Sequence, residues 1–281
     1  ILNRETLLLE LQKLGFPKDI LEQYVTLASQ PYGMILVTGP TGSGKTSTLY
    51  ATLSLLNSPE SKIITLEDPV EYQLRGVNQI QVNPKIGLTF ASGLRSIVRQ
   101  DPDIILVGEI RDRETADTAV QSALTGHLLF STLHTNDAPG AVSRLLDMGV
   151  ENFLLSSTLL GILAQRLVRI ICRDCKEEIK PDARMIDSLR FEPRETNNVR
   201  FYEGRGCDAC RFTGFRGRTG IFEYIAIDDD FRKTINQRAS KDQIRALALK
   251  KGCSTLRRDG WQKVRQGITT VSEIIRVTLA G

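Results

Sequence analysis

Two kinds of apolar pattern alternate along the chain up to about residue 171. Short continuous apolar runs bounded by Gly, Pro or charged residues are typical of buried strands, and apolar residues three to four positions apart predict helices. Predicted strands are 34–38, 62–66, 77–82, 104–107 and 128–133. Predicted helices are 45–56, 89–100, 114–124, 138–148 and 153–168. This alternation predicts a parallel sheet covered on both faces.

The two ends of the chain have a different pattern. The first thirty residues carry leucines at helical spacing, and the stretch after Ile171 holds cysteines, glycines and arginines with few long apolar runs. Helical periodicity returns from Phe231. We therefore expect four parts: a helical start (1–30), an α/β core (31–171), a cysteine-containing subdomain (172–223) and a C-terminal helical subdomain (224–281).

A glycine-rich loop lies between the first predicted strand and the next helix. Its sequence, Gly39-Pro40-Thr41-Gly42-Ser43-Gly44-Lys45-Thr46, fits the pattern G-x-x-x-x-G-K-[ST] of a P-loop. The glycines let backbone N–H groups curl around phosphate oxygens, and the following helix presents its positive end. Lys45 is suited to reach the β- and γ-phosphates, and the Thr46 hydroxyl is suited to ligate Mg²⁺. The loop therefore predicts binding of ATP or ADP.

Acidic residues follow two other predicted strands. Glu109 ends the run Ile104–Glu109, which has a Walker B pattern, and Glu67 and Glu71 follow the second strand. Ligands bind beyond the carboxyl ends of strands in such sheets, so these acids are expected near the phosphates. Gly108 stands where many P-loop enzymes carry Asp, so Glu109 is expected to contact the metal through water. Glu71 or Glu67 is a candidate to polarise the attacking water, the alternative being an exposed acidic loop.

The chain has two histidines, His127 and His134, at the two ends of one predicted strand. The segment that contains them is rich in Thr, His and Asn, a composition suited to sensing a γ-phosphate. A structural role for each ring is the alternative reading.

Composition places the chain among ordinary globular proteins. Of its 281 residues, 41% are hydrophobic, and the net charge is +4 with basic residues scattered. This mild charge favours a solvated surface over nucleic-acid binding. No apolar run reaches the length of a membrane span, so no direct membrane insertion is expected. A first residue other than Met indicates a fragment of a longer chain.

Four of the five cysteines form two Cys-x-x-Cys pairs. Cys172 and Cys175 are separated from Cys207 and Cys210 by 31 residues, counted from 176 to 206. Two such pairs in a cytosolic protein predict a structural Cys₄ zinc site, which would stabilise a segment too small to form its own core. A redox role for one pair is the alternative. The fifth, Cys253, is expected to be a plain thiol.

In order and spacing, four of these segments together resemble the secretion ATPases, the traffic ATPases of bacterial type II secretion, type IV pilus assembly and related DNA-uptake and conjugation machines. The family's Walker A box matches residues 39–46, its Asp box 64–71, its Walker B box 104–112 and its His box 125–137. The resemblance implies a RecA-like P-loop ATPase core with a tetracysteine insert and a C-terminal helical subdomain.

The resemblance also implies roles and partners. Lys45 and Thr46 would bind phosphate and Mg²⁺, Glu71 would be the general base, Glu109 the Walker B acid, and His127 and His134 would support the γ-phosphate and the transition state. The family forms homo-hexameric rings whose neighbouring subunits supply arginines. Its members work in the cytoplasm against inner-membrane platform proteins.

Within that family, the tetracysteine insert and the run 154–167 look more like the type II secretion members. The expected function is ATP hydrolysis that powers type II protein secretion. The alternatives are a pilus-assembly ATPase and a DNA-uptake or translocation motor. A cluster of arginines around the cysteines (Arg166, Arg169, Arg173, Arg211, Arg216 and Arg218) is the sequence feature that favours the last of these.

Overall fold

The first strand of the sheet, β1 (Gly33–Thr38), is buried along its whole length. Its side chains alternate between two hydrophobic cores, with Met34 and Leu36 in one and Ile35 and Val37 in the other. An apolar run without polar alternation is what a strand covered on both faces requires. This arrangement comes from a computed structural model, which describes residues 10–180 and 199–278.

Helices and strands alternate through most of the described chain. The strands are β1, β2 (Ile63–Glu67), β3 (Asn78–Gln81), β4 (Ile104–Val107), β5 (Leu128–Leu133), β6 (Leu159–Ile171), β7 (Lys176–Ile179), β8 (Phe201–Gly204) and β9 (Phe215–Ala226). The helices are α1 (Lys18–Ala28), α2 (Lys45–Leu56), α3 (Phe90–Val98), α4 (Arg113–Leu124), α5 (Ala138–Asp147), α6 (Asn152–Thr158), α7 (Asp229–Asn236), α8 (Lys241–Lys250), α9 (Leu256–Arg265) and α10 (Val271–Thr278). Across residues 10–180 and 199–278, no helix combines the length and the apolar character that crossing a bilayer demands.

Seven of the described strands form one sheet in the order β3-β2-β4-β5-β1-β6-β9. The strands from β3 to β6 run parallel, and β9 closes one edge antiparallel to β6. Strands β7 and β8 form a separate antiparallel pair. The predicted α/β class and the parallel sheet are therefore confirmed.

Each face of the sheet has its own core. Tyr24 from α1 and Leu53 from α2 belong to the core on one face, which also includes Phe130 and Phe222 from the sheet. The other face is covered by α3, α4 and α5 together with the C-terminal helices, whose residues include Trp261. The two cores place α2, which begins at the P-loop, directly against the sheet.

The helix predicted over residues 153–168 is wrong in its second half. Helix α6 ends at Thr158, and the chain continues as strand β6 to Ile171. A buried apolar run looks the same whether it is helix or strand, because its periodicity does not separate the two. Here the neighbours decide, since β6 pairs with β1 on one side and with β9 on the other.

The last third of the described chain is joined to the sheet by β9. This strand crosses the expected boundary between residues 223 and 224 and pairs along its length with β6. The division into four parts stays a prediction. Residues 1–9 of the expected helical start and residues 181–198 of the expected cysteine subdomain lie outside the described residues.

A buried ion pair on α9 is anchored to the sheet. On α9, Lys263 donates to both carboxylate oxygens of Asp259 at 2.8 Å, and Asp259 also accepts the backbone N–H of Phe222 on β9. Both side chains are more than 90% buried. Burial raises the pKa of Asp259 although Lys263 and the N–H of Phe222 oppose the effect. Because both side chains are shielded from water, the ammonium of Lys263 and the carboxylate of Asp259 stabilise each other's charge.

Replacing Asp259 by Ala is expected to lower the free energy of unfolding by about 3–5 kcal/mol, because it leaves the buried Lys263 ammonium without its carboxylate partner. Asp117→Ala is the matched control, since Asp117 forms an i,i+4 pair with Arg113 on α4 in which both side chains are about half exposed or more. That change should leave stability nearly unchanged. Urea denaturation measures both, and equal effects would contradict the structural role of the buried pair.

Candidate nucleotide site and cysteine cluster

Four loops that carry the candidate chemistry meet at one edge of the sheet. They follow β1, β2, β4 and β5, which are neighbours in the order β2-β4-β5-β1. Because parallel strands end at the same edge, their loops surround a common cleft. The cleft has a volume of about 570 Å³ and is lined by residues 41–47 of the P-loop together with Glu67, Glu71, Glu109, Arg111 and His134.

The P-loop needs glycine at both of its ends. Gly44 has φ 90°, a conformation that favours glycine. Gly39 has φ 152°, and a Cβ there would lie 2.4 Å from the carbonyl oxygen of Gln165 on β6. The loop is thus packed closely against β6. Gln165 also accepts the Thr48 hydroxyl of α2 at 2.7 Å, which fixes the start of that helix.

The N-terminus of α2, like that of α1 on the same face of the sheet, has no side-chain cap, and it differs in this from α3, α4 and α5 on the other face. At the start of α3, α4 and α5, a capping side chain accepts a backbone N–H of the helix. These capping residues are Thr89, Asp112 and Asp137. Helix α2 begins after Gly44 with no side-chain cap. Its first N–H groups, with the helix dipole behind them, therefore point to an anionic ligand.

Lys45 and Glu109 are the opposite charges of the cleft. The Lys45 ammonium donates to the carbonyl oxygens of Gly39 at 2.8 Å and Pro40 at 3.1 Å. Burial lowers the pKa of Lys45, and the negative charge of Glu109 opposes that effect. A partly desolvated ammonium interacts strongly with a negative ligand, which suits it to phosphate.

Glu109 is held by two neighbours. Arg111 donates to one carboxylate oxygen, and His134 Nε2 lies 3.3 Å from the other. Burial raises the pKa of Glu109, but Arg111 and then His134 outweigh it, so the pKa falls below its ordinary value. The carboxylate is therefore ionised at neutral pH. Arg111 was not among the predicted site residues, although it lies two residues after Glu109 in the predicted Walker B segment.

The two acids after β2 have different surroundings. Glu71 is exposed at the rim of the cleft. Glu67 is 4% exposed and accepts hydrogen bonds from the hydroxyls of Tyr50 and Thr65 and, at 3.2 Å, from the Gln79 amide. A carboxylate with three donors already in place is a structural anchor, so Glu71 is the better placed of the two to meet water.

His127 lies away from this cleft. It precedes β5 at the opposite edge of the sheet from His134, and a six-residue strand is about 20 Å long. Its Nδ1 is 2.9 Å from the carbonyl oxygen of Ser122 at the end of α4. Of the two histidines, only His134 is at the strand end that faces the P-loop and lines the cleft, and the role expected for His127 stays a prediction.

A second cleft, of about 670 Å³, adjoins the other side of the P-loop. It is lined by four arginines, namely Arg166, Arg169, Arg218 and Arg276. Three of these, Arg166, Arg169 and Arg218, were expected to cluster around the cysteines. Arg166 lies in the part of residues 153–168 that was predicted as helix and is strand β6. Arg169 and Arg276 are bound to the buried carboxylate of Glu273, so part of the charge is compensated within the chain.

The four paired cysteines converge on one point. Their Sγ atoms all lie within 4.8 Å of one another, and Cys172–Cys207, Cys175–Cys210 and Cys207–Cys210 are separated by 3.9, 3.9 and 3.8 Å. Zinc–sulfur bonds of 2.3 Å in a tetrahedron place the sulfurs about 3.8 Å apart. The donor set and its spacing therefore fit Zn²⁺.

Backbone N–H groups point at two of these sulfurs. Gly206 donates to Cys175 at 3.3 Å, and Cys207 and Gly214 donate to Cys210 at 3.2 and 3.3 Å. Burial raises the pKa of Cys210, but these two donors together with the thiols of Cys207 and Cys175 outweigh it and bring the pKa to about 6. At Cys175 burial outweighs the Gly206 donor, and the pKa is raised. Such donors favour the thiolate, the form that binds metal.

Comparisons with known proteins agree with this site. The family model described as type II/IV secretion system protein matches residues 1–276. The type II secretion system ATPase E of Vibrio cholerae is 50% identical over 281 residues, covering 99% of this chain and 55% of that protein. The type IV pilus assembly ATPase PilB of Thermus thermophilus is 49% identical, covering 96% of this chain and 30% of that protein.

A solved structure of the pilus retraction motor PilT with bound ADP has the same fold, with a TM-score of 0.68 and 30% identity. The match covers 95% of this chain and 66% of that one. The chain spans about half the length of its type II secretion relative and less than a third of its PilB relative. On the family match and on the convergence of the P-loop, Glu109 and His134, this chain belongs to the type II/IV secretion system protein family.

Proposed function

We propose that this chain hydrolyses ATP to ADP and phosphate with Mg²⁺ and thereby powers type II protein secretion. The observation that carries the proposal is the convergence of Lys45, Glu71, Glu109 and His134 around one cleft beside the uncapped start of α2. Identity of about half to type II secretion ATPases supports the choice of system. The nearly equal identity to PilB makes pilus assembly the second candidate.

The P-loop binds the phosphates in this proposal. Its backbone N–H groups and Lys45 neutralise the β- and γ-phosphates. The Thr46 hydroxyl and the ionised Glu109 would hold Mg²⁺, which would supply positive charge to the phosphates. His134, which lies beside Glu109 and is half exposed, donates to the γ-phosphate as negative charge develops there.

Glu71 acts as the general base. Its carboxylate belongs to the cleft and is exposed to solvent, so a water molecule can lie between it and the γ-phosphate. Glu67 keeps a supporting role because its oxygens are already hydrogen-bonded within the fold. His127 has no part in the reaction within one subunit, since it lies at the opposite sheet edge.

We propose that the working assembly is a homo-hexamer in the cytoplasm, bound to platform proteins at the inner membrane. The exposed rim at Glu71 and His134 supports this, because a neighbouring subunit can reach it with an arginine. DNA translocation is the weakest candidate. Of the three arginines that line the cleft beside the P-loop (Arg166, Arg169 and Arg218), Arg169 is bound to Glu273, so its charge is already compensated within the chain.

Zn²⁺ has a structural role in the proposal. Cys172, Cys175, Cys207 and Cys210 provide four ligands, which leaves no open position for catalysis. The bound ion would join β7, β8 and the start of β9 into one unit.

Lys45→Ala is expected to lower kcat for ATP by on the order of a hundred-fold or more, because phosphate charge loses its stabilising ammonium. The fold should survive, since the Lys45 ammonium bonds only loop carbonyls. Lys18→Ala, at an exposed lysine on α1, is the control. Unchanged turnover in Lys45→Ala protein with a normal melting curve would overturn the P-loop assignment.

The same Lys45→Ala variant distinguishes the two candidate systems in cells. If the chain powers type II secretion, proteins that are normally secreted should accumulate inside the cell envelope of the variant while its pili still assemble. Loss of pili with normal secretion would instead establish the pilus-assembly function.

Glu71→Gln and Glu109→Gln are each expected to reduce kcat by on the order of 10²–10⁴-fold. Nucleotide binding should persist in Glu71→Gln, because a base acts on water rather than on the phosphates. Single-turnover hydrolysis and fluorescent-nucleotide binding measure the two effects, with exposed Glu22→Gln as control. Full hydrolysis in both variants would contradict the catalytic assignment.

Metal analysis of freshly purified, reduced protein is expected to find one zinc per chain. Cys175→Ser should lose most of that zinc and melt at a lower temperature, because the thiolate set is incomplete. Cys253→Ser is the matched control, since Cys253 is not part of the four-sulfur cluster. Zinc well below one equivalent in the unaltered protein would count against the site.

A further inference from the structure

Tyr50 lies beneath the loop that carries Glu71. It is on α2, the helix that begins at the P-loop, and it is 1% exposed. Its hydroxyl donates to the buried carboxylate of Glu67, accepts the backbone N–H of Glu71 at 3.4 Å and lies 3.3 Å from the Gln79 amide nitrogen. A phenol has one hydrogen and two lone pairs, so the hydroxyl can donate to Glu67 and accept from Glu71 at the same time.

Gln79 on β3 holds the same loop from the other side. Its amide nitrogen lies 3.1 Å from the carbonyl oxygen of Tyr72, and its oxygen accepts the backbone N–H of Leu74 at 2.6 Å. With the contact from Tyr50 to Glu71, the backbone of the loop is bound at three positions. The conformation of the Glu71 loop is therefore set by the buried Tyr50 and the half-buried Gln79, which also contact each other.

The ring of Tyr50 adds an apolar contact to this polar one. It packs edge-to-face against the ring of Tyr72 with centroids 4.6 Å apart. Burial, followed by the hydrogen bond to Glu67, raises the pKa of Tyr50, so its hydroxyl stays protonated and remains a donor. Replacement of Tyr50 by Phe therefore removes the hydrogen bonds of the hydroxyl and keeps the contact of the ring.

We propose that Tyr50 is a positioning residue that links the P-loop helix to Glu71 and so sets the base at its working distance from the γ-phosphate. The inference rests on the proposed function, in which Glu71 activates water. Because Tyr50 is on the same rigid helix as Lys45, the phosphates and the base share one reference point. The bonds to Glu67 and Gln79 keep the hydroxyl in place.

Tyr50→Phe in the full-length protein tests this. The variant keeps the ring against Tyr72 but leaves the Glu71 N–H and the Glu67 carboxylate each without one partner. We expect kcat to fall about tenfold or more, because the loop loses its hydrogen bond to the P-loop helix and Glu71 is no longer held at its working distance. The KM for ATP should stay within about twofold because no phosphate-binding group has changed. An unchanged kcat would overturn the inference.

Tyr24→Phe is the matched control. Tyr24 is also fully buried, and its hydroxyl lies 2.8 Å from that of Thr52, which is on α2 two residues beyond Tyr50. This change removes a buried tyrosine hydroxyl of α1 that contacts the P-loop helix α2, without touching the Glu71 loop. We expect its kcat to remain within about twofold of the unaltered protein. An equal loss of kcat in both variants would show a general effect on the helix and would overturn the inference.

A double-mutant cycle distinguishes this inference from the proposed function. If Tyr50 acts through Glu71, Tyr50→Phe should slow the Glu71→Gln protein by less than about twofold, although it slows the unaltered protein tenfold. Independent effects would overturn the inference while leaving Glu71 as the base. Full activity of Glu71→Gln alone would instead contradict the proposed function.

Gln79→Met provides a second route if Tyr50→Phe fails to fold. It removes the amide that binds Tyr72 and Leu74 and leaves the tyrosine hydroxyl intact. The same split is expected, with a reduced kcat and an unchanged KM. A normal kcat in a folded Gln79→Met protein would contradict the role of this network.

Discussion

Parallel strands bring their carboxyl ends to one edge of a sheet, and the candidate site depends on that constraint. Segments that are far apart in the sequence, after β1, β2, β4 and β5, become neighbours because the strands pair in the order β2-β4-β5-β1. The P-loop then needs only a tight turn and an uncapped helix start to present N–H groups to phosphates. Glu109 and His134 reach the same cleft from the two strands between, and no long side chain has to cross the sheet.

The same constraint explains why buried polar groups gather beneath the site. Loops that leave a sheet edge must turn, and their backbone groups need partners once they are covered. Glu67 and Gln79 provide those partners under the Glu71 loop, and Tyr50 brings the P-loop helix into the same network. On the other side, Gln165 connects β6 to the start of α2. The exposed groups suited to chemistry are thus supported by buried groups suited only to hydrogen bonding.

The last part of the described chain is organised by ionic contacts and sulfur ligands as well as by apolar packing. Glu273 binds Arg169 and Arg276, and Asp259 binds Lys263 and the backbone of β9. The cysteine cluster ties the short strands β7 and β8 to the start of β9. The Asp259 contact joins α9 to β9, and the Glu273 contacts keep Arg169 and Arg276 in the second cleft beside the P-loop.

Local pattern was sufficient for much of this protein. Helix α2 and strands β4 and β5 have the predicted bounds, because short buried runs and helical spacing are properties of adjacent residues. The P-loop, the Walker B acid and the two cysteine pairs could also be predicted from the sequence, since each depends on residue types at fixed spacing. Four sulfurs within bonding distance of one ion were predictable for the same reason.

Tertiary structure decided what depends on distant neighbours. Residues 159–168 are a strand because β1 and β9 offer it backbone partners, and no periodicity in an apolar run reveals that. Because this segment pairs as a strand with β1 and β9, Arg166 and Arg169 lie beside the P-loop. His127 and His134 look equivalent in sequence, but an extended strand separates its two ends by about 20 Å. The sequence by itself determined the kinds of groups that could bind a nucleotide and a metal, and the order of the strands determined which of them meet.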